Sequence, residues 1–243
     1  MNKSFTLVYG DHRIPYDVTS DPTRSSKVAI HVNPDGSVSV DAPPELPDGA
    51  IQAAVQKRAR WVSNHVANAN QRYAHVQPKS YVSGEQVLYL GRRYMLKVIP
   101  TDHAPKRVRL IGNRLVVHTR STSPDRVKGQ VRAWYRVKAR DYFARRLDDL
   151  SIRLPWVNGT PSFRLLDMTR QWGSCSSDGQ IIVNPHLVKA PRDCIDYVLI
   201  HELAHHKHHD HAAAFWGLVE QHCPDWRKSK HHLDGLVELL MVE

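Results

Sequence analysis

The sequence predicts an α+β protein, and three observations carry that expectation. Strand-like segments punctuated by turn residues fill roughly the first half, helical periodicity takes over from Ser123, and neither an internal repeat nor a low-complexity tract points to a solenoid or fibre. With 243 residues, 41% hydrophobic and 24% charged, the chain can bury a core without disulfide staples. The division expected is a β-rich, basic N-terminal region over 1–120 and a second domain over 121–243, unless the two form one continuous unit. No run approaches the roughly 18 apolar residues that a membrane-spanning helix needs, so no membrane partner is expected. The opening apolar stretch, Phe5 to Tyr9, is too short for an export signal.

Taken in order, residues 27–32 and 37–40 flank Asn33-Pro34-Asp35-Gly36, where proline fixes φ and glycine tolerates φ > 0, so a hairpin is expected. Beyond Pro47 and Asp48, Ile51, Val55, Val62 and Val66 recur at helical spacing with Trp61 beside them. One amphipathic helix should result. Gly91-Arg92 and Gly112-Asn113 each sit at the centre of strand-like residues, predicting hairpins over 86–98 and 107–119. From Ser123-Pro124-Asp125 a long helix follows, with Val127, Val131, Trp134, Tyr135, Tyr142 and Phe143 on its apolar side. Residues 163–169 and 180–183 read as strands that pair. A nearly all-apolar helix begins after Pro191, with Asp193 and Asp196 near its start, where the helix dipole favours negative charge. Two more helices are expected, over 212–221 and from Trp226 to the C-terminus, separated by Cys223-Pro224-Asp225.

Charge is distributed in a block. The formal net charge is +10, but residues 57–146 hold 21 basic against 4 acidic side chains, while both flanks carry an acidic excess. Lys128, Arg132, Arg136 and Arg140, spaced four apart, form one stripe along the long helix. Such a block would attract a polyanion, so nucleic acid is a candidate partner through 57–146, although a solvated helix face has the same composition. Three cysteines, Cys175, Cys194 and Cys223, cannot all pair within one chain and form no CxxC doublet, which favours reduced thiols in a cytoplasmic location. Cys194, inside an apolar run, is expected to be buried and inert.

Nine of the sixteen histidines lie between His201 and His232, and the first belong to His201-Glu202-Leu203-Ala204-His205. On a helix, residues four apart share a face, so His201 and His205 can converge on one metal ion while Glu202 reaches the position beside it. Glu202 is the only charge between Tyr197 and Ala204. A carboxylate on a buried apolar helix is costly unless a metal, hydrogen bonds or protonation compensates it. A catalytic zinc takes three protein ligands and leaves one position for water. His208 lies about 10 Å along a straight helix from His201, too far for both to bind one ion. His211, after a polar stretch where the chain can turn back, is the better third ligand. His206, His208, His209, His222, His231 and His232 read as solvent-facing or supporting residues, with Cys223 a weak alternative ligand. The chemistry implied is metal-assisted amide hydrolysis with Glu202 as general base.

Arg170-Gln171-Trp172-Gly173-Ser174-Cys175, then Asn184, then the run from Tyr197 to His205, then His211 and Phe215-Trp216, together resemble the YgjP-like metallopeptidases, relatives of the SprT-like group. The likeness is strongest over 160–232, and the β-rich basic half resembles that family's N-terminal region. It implies a zincin-like metallopeptidase core with Zn2+ on His201, His205 and His211, Glu202 as the base, and a protein or peptide substrate. It also implies that the strand around 163–169 lies beside the active-site helix, open to an added peptide strand, with Arg170 and Trp172 bracing the neighbouring hairpin. His206 and Lys207 depart from the family's pattern, where an apolar residue is usual, and make the end of that helix more polar. Metzincins share the histidine spacing but have glycine where His208 stands here. SprT-like relatives act on DNA-associated proteins, which the basic block would accommodate. The competing expectation is a nucleic-acid-binding module whose HExxH motif holds a structural metal.

Overall fold

The computed structural model describes residues 3–22, 24–33, 36–73, 79–102, 107–169 and 171–241. The expected turn residues Pro34 and Asp35, and the expected brace Arg170, lie outside them. By compactness the chain divides into Met1–Gln77 and Pro78–Glu243, whereas the sequence had suggested a boundary at 120. Strands within 86–119 bury Leu96, Leu115 and Val117 in the same core as the long helix that follows, which ties them to the second unit. Among the described residues there are three small sheets and seven α-helices, a mixed architecture consistent with α+β. No described helix is long and apolar enough to cross a membrane.

In the first unit, β1 (Lys3–Tyr9) and β2 (His12–Ser20) form a hairpin closed at Gly10, whose φ is +56°. Only part of β1 showed in the sequence as an apolar stretch. The alternation that makes β2 a strand is Ile14, Tyr16 and Val18, all buried, with Pro15 between them on the other face. β3 (Ala29–Val32) and β4 (Val38–Ala42) form the expected antiparallel pair, and β4 runs parallel to β2, giving the order β1-β2-β4-β3. One amphipathic helix was expected after Pro47, and there are two, α1 (Asp48–Lys57) and α2 (Ala59–Tyr73). The break is at Arg58, whose amide bonds back to Val55 O at 2.9 Å and whose backbone leaves the helical region at φ −106°, ψ 12°. Ile51, Val55, Ala59 and Val62 are all buried against the sheet on either side of this break.

The second unit begins with β5 (Gln86–Tyr89) and β6 (Arg92–Pro100), then β7 (Arg107–Ile111) and β8 (Arg114–Thr119), both expected hairpins. β6 pairs parallel to β8, so the order is β5-β6-β8-β7. Each unit therefore uses the same plan, two hairpins joined by a parallel pairing of their inner strands and followed by helix. No repeat shows in the sequence, because the plan lies in the strand pairing and shares no residue pattern between its two copies.

Helix α3 (Pro124–Arg153) spans 30 residues, with Pro124 at its first position, where the missing N–H costs nothing. It buries Val127, Val131, Trp134, Tyr135, Phe143 and Leu147. Residues 163–169 and 180–183 were expected to pair, and β9 (Phe163–Leu165) and β11 (Ile181–Val183) do so, in parallel. Their connection supplies a third strand, β10 (Gly173–Cys175), antiparallel to β11, so the sheet order is β10-β11-β9. A short 3-10 turn, Pro185–Lys189, leads into α4 (Arg192–Ala204). Then come α5 (Ala213–His222), α6 (Trp226–Asp234) and α7 (Val237–Met241). The single C-terminal helix expected from Trp226 is divided at Gly235, the C-cap of α6.

Candidate metal centre

Helix α4 is held on every side. Pro191 opens it, Ile195 N bonds Pro191 O at 3.0 Å, and Arg146 of α3 grips Asp196 through two bonds of 2.6 and 2.9 Å. Cys194, Ile195, Leu199 and Leu203 are fully buried, so the end of the helix that carries the HExxH motif is fixed by the core. Cys194 is the inert thiol expected: its sulfur donates to Ser229 O at 3.4 Å, and burial pushes it up to about 12. The helix stops at Ala204, and His205 to Lys207 form the turn. The amides of both Lys207 and His208 close on Ala204 O at 3.0 Å, while Trp156 Nε1 donates to Leu203 O at 3.0 Å. His206 and Lys207 thus lie beyond the helix, which accounts for their polarity.

The three histidines singled out by spacing meet. One potential ligand atom from each of His201, His205 and His211 falls within a 4.8 Å group, and ring centroids are separated by 5.2, 5.0 and 4.8 Å. His205 Nδ1 faces His208 O at 3.0 Å, which gives that nitrogen a proton to donate and leaves the ring's lone pair on Nε2. His211 Nε2 approaches His201 Nε2 to 3.1 Å. Burial first, and the neighbouring histidines second, lower His201 to about 4, so its imidazole is neutral. His208 lies beyond the end of the helix and meets His205 through its backbone carbonyl. Neither Cys223 nor His222 belongs to the group, and the ring of His222 packs against Trp156 instead.

Glu202 is 6% exposed, and burial alone pushes it up to about 8. Three imidazoles with ligand atoms within 4.8 Å of one another, the first of them followed in the helix by a buried carboxylate, form a donor set suited to a divalent metal of the zinc type. The chemistry of the residues present therefore fits such an ion.

Two residues of the centre make contacts that sequence reasoning missed, although both stood among those that carry the family resemblance. Gly173 of β10 lies directly against Glu202: a Cβ there would stand 2.7 Å from both Cγ and Oε1 of the carboxylate, so the close approach requires glycine. The signal was present, since a glycine inside a strand marks a close backbone approach, but β10 itself had not been recognised. Phe215 of α5 is the other. Fully buried, its ring lies 4.9, 4.7 and 4.7 Å from those of His201, His205 and His211, so the core supplies the floor beneath all three. Burying a phenyl group contributes roughly 1.5–3 kcal/mol, which makes that floor part of what holds the fold. Trp216 packs on the rings of His201 and His211 at 5.7 and 5.8 Å and stacks on Trp226 at 4.4 Å.

The strand against α4 is β10, whereas 163–169 was expected there. β9 occupies the far side of β11, because the segment between the two expected strands folds back as β10, the edge strand on the side of α4. Asn184, fully buried, holds this arrangement. Its side-chain amide donates to Met168 O at 2.7 Å and Gln171 O at 3.3 Å, its Oδ1 accepts from His186 N, and its own amide bonds Trp172 O at 2.8 Å. Trp172 packs half-buried against the core, in keeping with the bracing role expected of it.

Comparison with known proteins places residues 26–235 on the family model described as "YgjP-like, metallopeptidase domain". No curated protein and no solved structure matches the chain.

Proposed function

Because the chain belongs to the YgjP-like metallopeptidase family, we propose that it is a zinc-dependent peptidase with a zincin-like core, in which His201, His205 and His211 hold the metal and Glu202 is the general base. Membership of that family makes the substrate a protein or peptide. The observation that carries the finer reading is the meeting of three imidazoles beside one buried carboxylate. Zinc in such a site supplies Lewis-acid polarisation of the scissile carbonyl and of water. The rest is done by the chain itself. Glu202 takes the proton of the attacking water and returns it to the leaving amine, converting a poor leaving group into a neutral one. Gly173 leaves the carboxylate the room to do this, and Phe215 and Trp216 restrain the imidazoles so that their nitrogens stay convergent.

DNA-associated proteins are the substrate class proposed. Arg132 and Arg140 stand exposed on α3 within the basic block, although Arg136 is neutralised by Asp167 through contacts of 3.0 and 3.1 Å. A nucleic-acid-binding module with a structural metal is the weaker reading, since a closed zinc site takes four protein ligands and the group at His201 has three among the described residues. A cytoplasmic location is proposed on the three unpaired cysteines.

The test is a degradation assay on a basic DNA-binding protein, free and bound to DNA, with the enzyme stripped of metal and then reloaded with zinc. Cleavage that disappears on chelation and returns with zinc, faster on the DNA-bound substrate, is expected. Cleavage indifferent to chelation would contradict the peptidase mechanism, and equal rates on free and bound substrate would remove DNA from the proposal.

A further inference from the structure

The first unit contains a groove of about 680 Å³ bordered by the β3 edge of its sheet. One wall is the start of β3 and the residue before it, with Val28, Ala29 and Ile30, and the other is helical, with Ala50 and Ala54 of α1 and Trp61 of α2. Strand β3 ends the sheet order, and its four residues, Ala29-Ile30-His31-Val32, contain no Lys, Glu or Pro of the kind that commonly protects an exposed edge. Trp61 is 39% exposed, a large apolar surface at the mouth of the groove.

Charge gives the groove a direction. Lys27, Lys57 and Arg58 border it, all three are exposed, and none forms an ion pair among the described residues. Among the described residues, no acidic side chain lines it. An aliphatic floor, a sheet edge with main-chain groups and a cationic rim match one kind of occupant. We propose that the groove binds an extended acidic peptide, which adds as a strand along β3 with alternate apolar side chains against Ile30 and Trp61 and its carboxylates toward Lys27, Lys57 and Arg58. Single-stranded nucleic acid would also answer to the cations and to one stacking aromatic. It would leave the aliphatic wall and the sheet edge unused, and so fits less of what is there. The proposal does not rest on the peptidase reading, because every residue it uses lies between Ser26 and Trp61.

The experiment uses the full chain and a fluorescent peptide of alternating glutamate and valine, followed by anisotropy. Three comparison probes accompany it: the same peptide N-methylated at alternate amides, its lysine-for-glutamate counterpart, and a single-stranded oligonucleotide. Saturable binding of the acidic peptide is expected, with affinity lowered at least about tenfold in K57E/R58E and by a similar factor on N-methylation, and with the lysine peptide failing to bind. Lys57 and Arg58 are exposed, so the double variant should keep its circular dichroism spectrum. Absence of saturable binding by the acidic peptide, equal binding of the N-methylated or lysine peptide, an unchanged affinity in K57E/R58E, or displacement by the oligonucleotide at lower concentration would each overturn the proposal.

Discussion

Replacing Glu202 by glutamine should lower peptide hydrolysis by on the order of 10²–10⁴-fold while the protein stays folded and keeps its metal. The substitution preserves shape, so Gly173 still clears the side chain, but an amide cannot accept the proton of the attacking water. Folding should not suffer. Glu202 is a buried carboxylate whose environment penalises its charge, and a neutral group of the same size relieves that penalty. The measurement is kcat on a protein substrate, taken alongside zinc content and thermal midpoint. Near-normal turnover with zinc retained would remove Glu202 from the chemistry, whereas turnover lost together with zinc would make it part of the metal's support.

His211→Ala is expected to act on the metal first and on activity as a consequence. The residue is exposed and lies in the turn before α5, so its truncation removes little core packing. What it removes is one of three converging nitrogens, leaving two histidines on one helix end to hold an ion alone. Groups that only support a ligand cost 10–100-fold in metal affinity when removed, and loss of a ligand itself should exceed that range. Competition with a chromophoric chelator measures the change directly. Zinc affinity within a few-fold of the unsubstituted protein would show that His211 is a neighbour of the site rather than a ligand.

Much of the candidate site was legible because its signals are local. The four-residue spacing of His201 and His205 defines a helix face wherever a helix forms, and the apolar run before it ensures one. The preference for His211 over His208 followed from helical rise and from the polar stretch at which the chain could turn back. What escaped was non-local. Gly173-Ser174-Cys175 is too short to show an alternating pattern, so β10 read as part of a connection, and with it went the contact between Gly173 and Glu202. The β1–β2 hairpin was obscured because His12 and Arg13 begin β2 and Pro15 interrupts it, although Ile14, Tyr16 and Val18 alternate as a half-buried strand should. The bend at Arg58 serves the packing of two helices on one sheet, and helical periodicity runs through it without a break. The shared plan of the two four-stranded sheets depends on parallel pairing between separate hairpins, β2 with β4 and β6 with β8, a choice made by long-range burial.

X-ray absorption at the zinc edge, on protein purified and loaded with one equivalent of zinc, tests the central claim most directly. The account predicts a shell of three imidazole nitrogens at about 2.0–2.1 Å with the remaining position taken by a light atom from solvent, reduced to two imidazoles in His211→Ala. A sulfur in the shell, a fourth imidazole, or a shell unchanged by His211→Ala would contradict it.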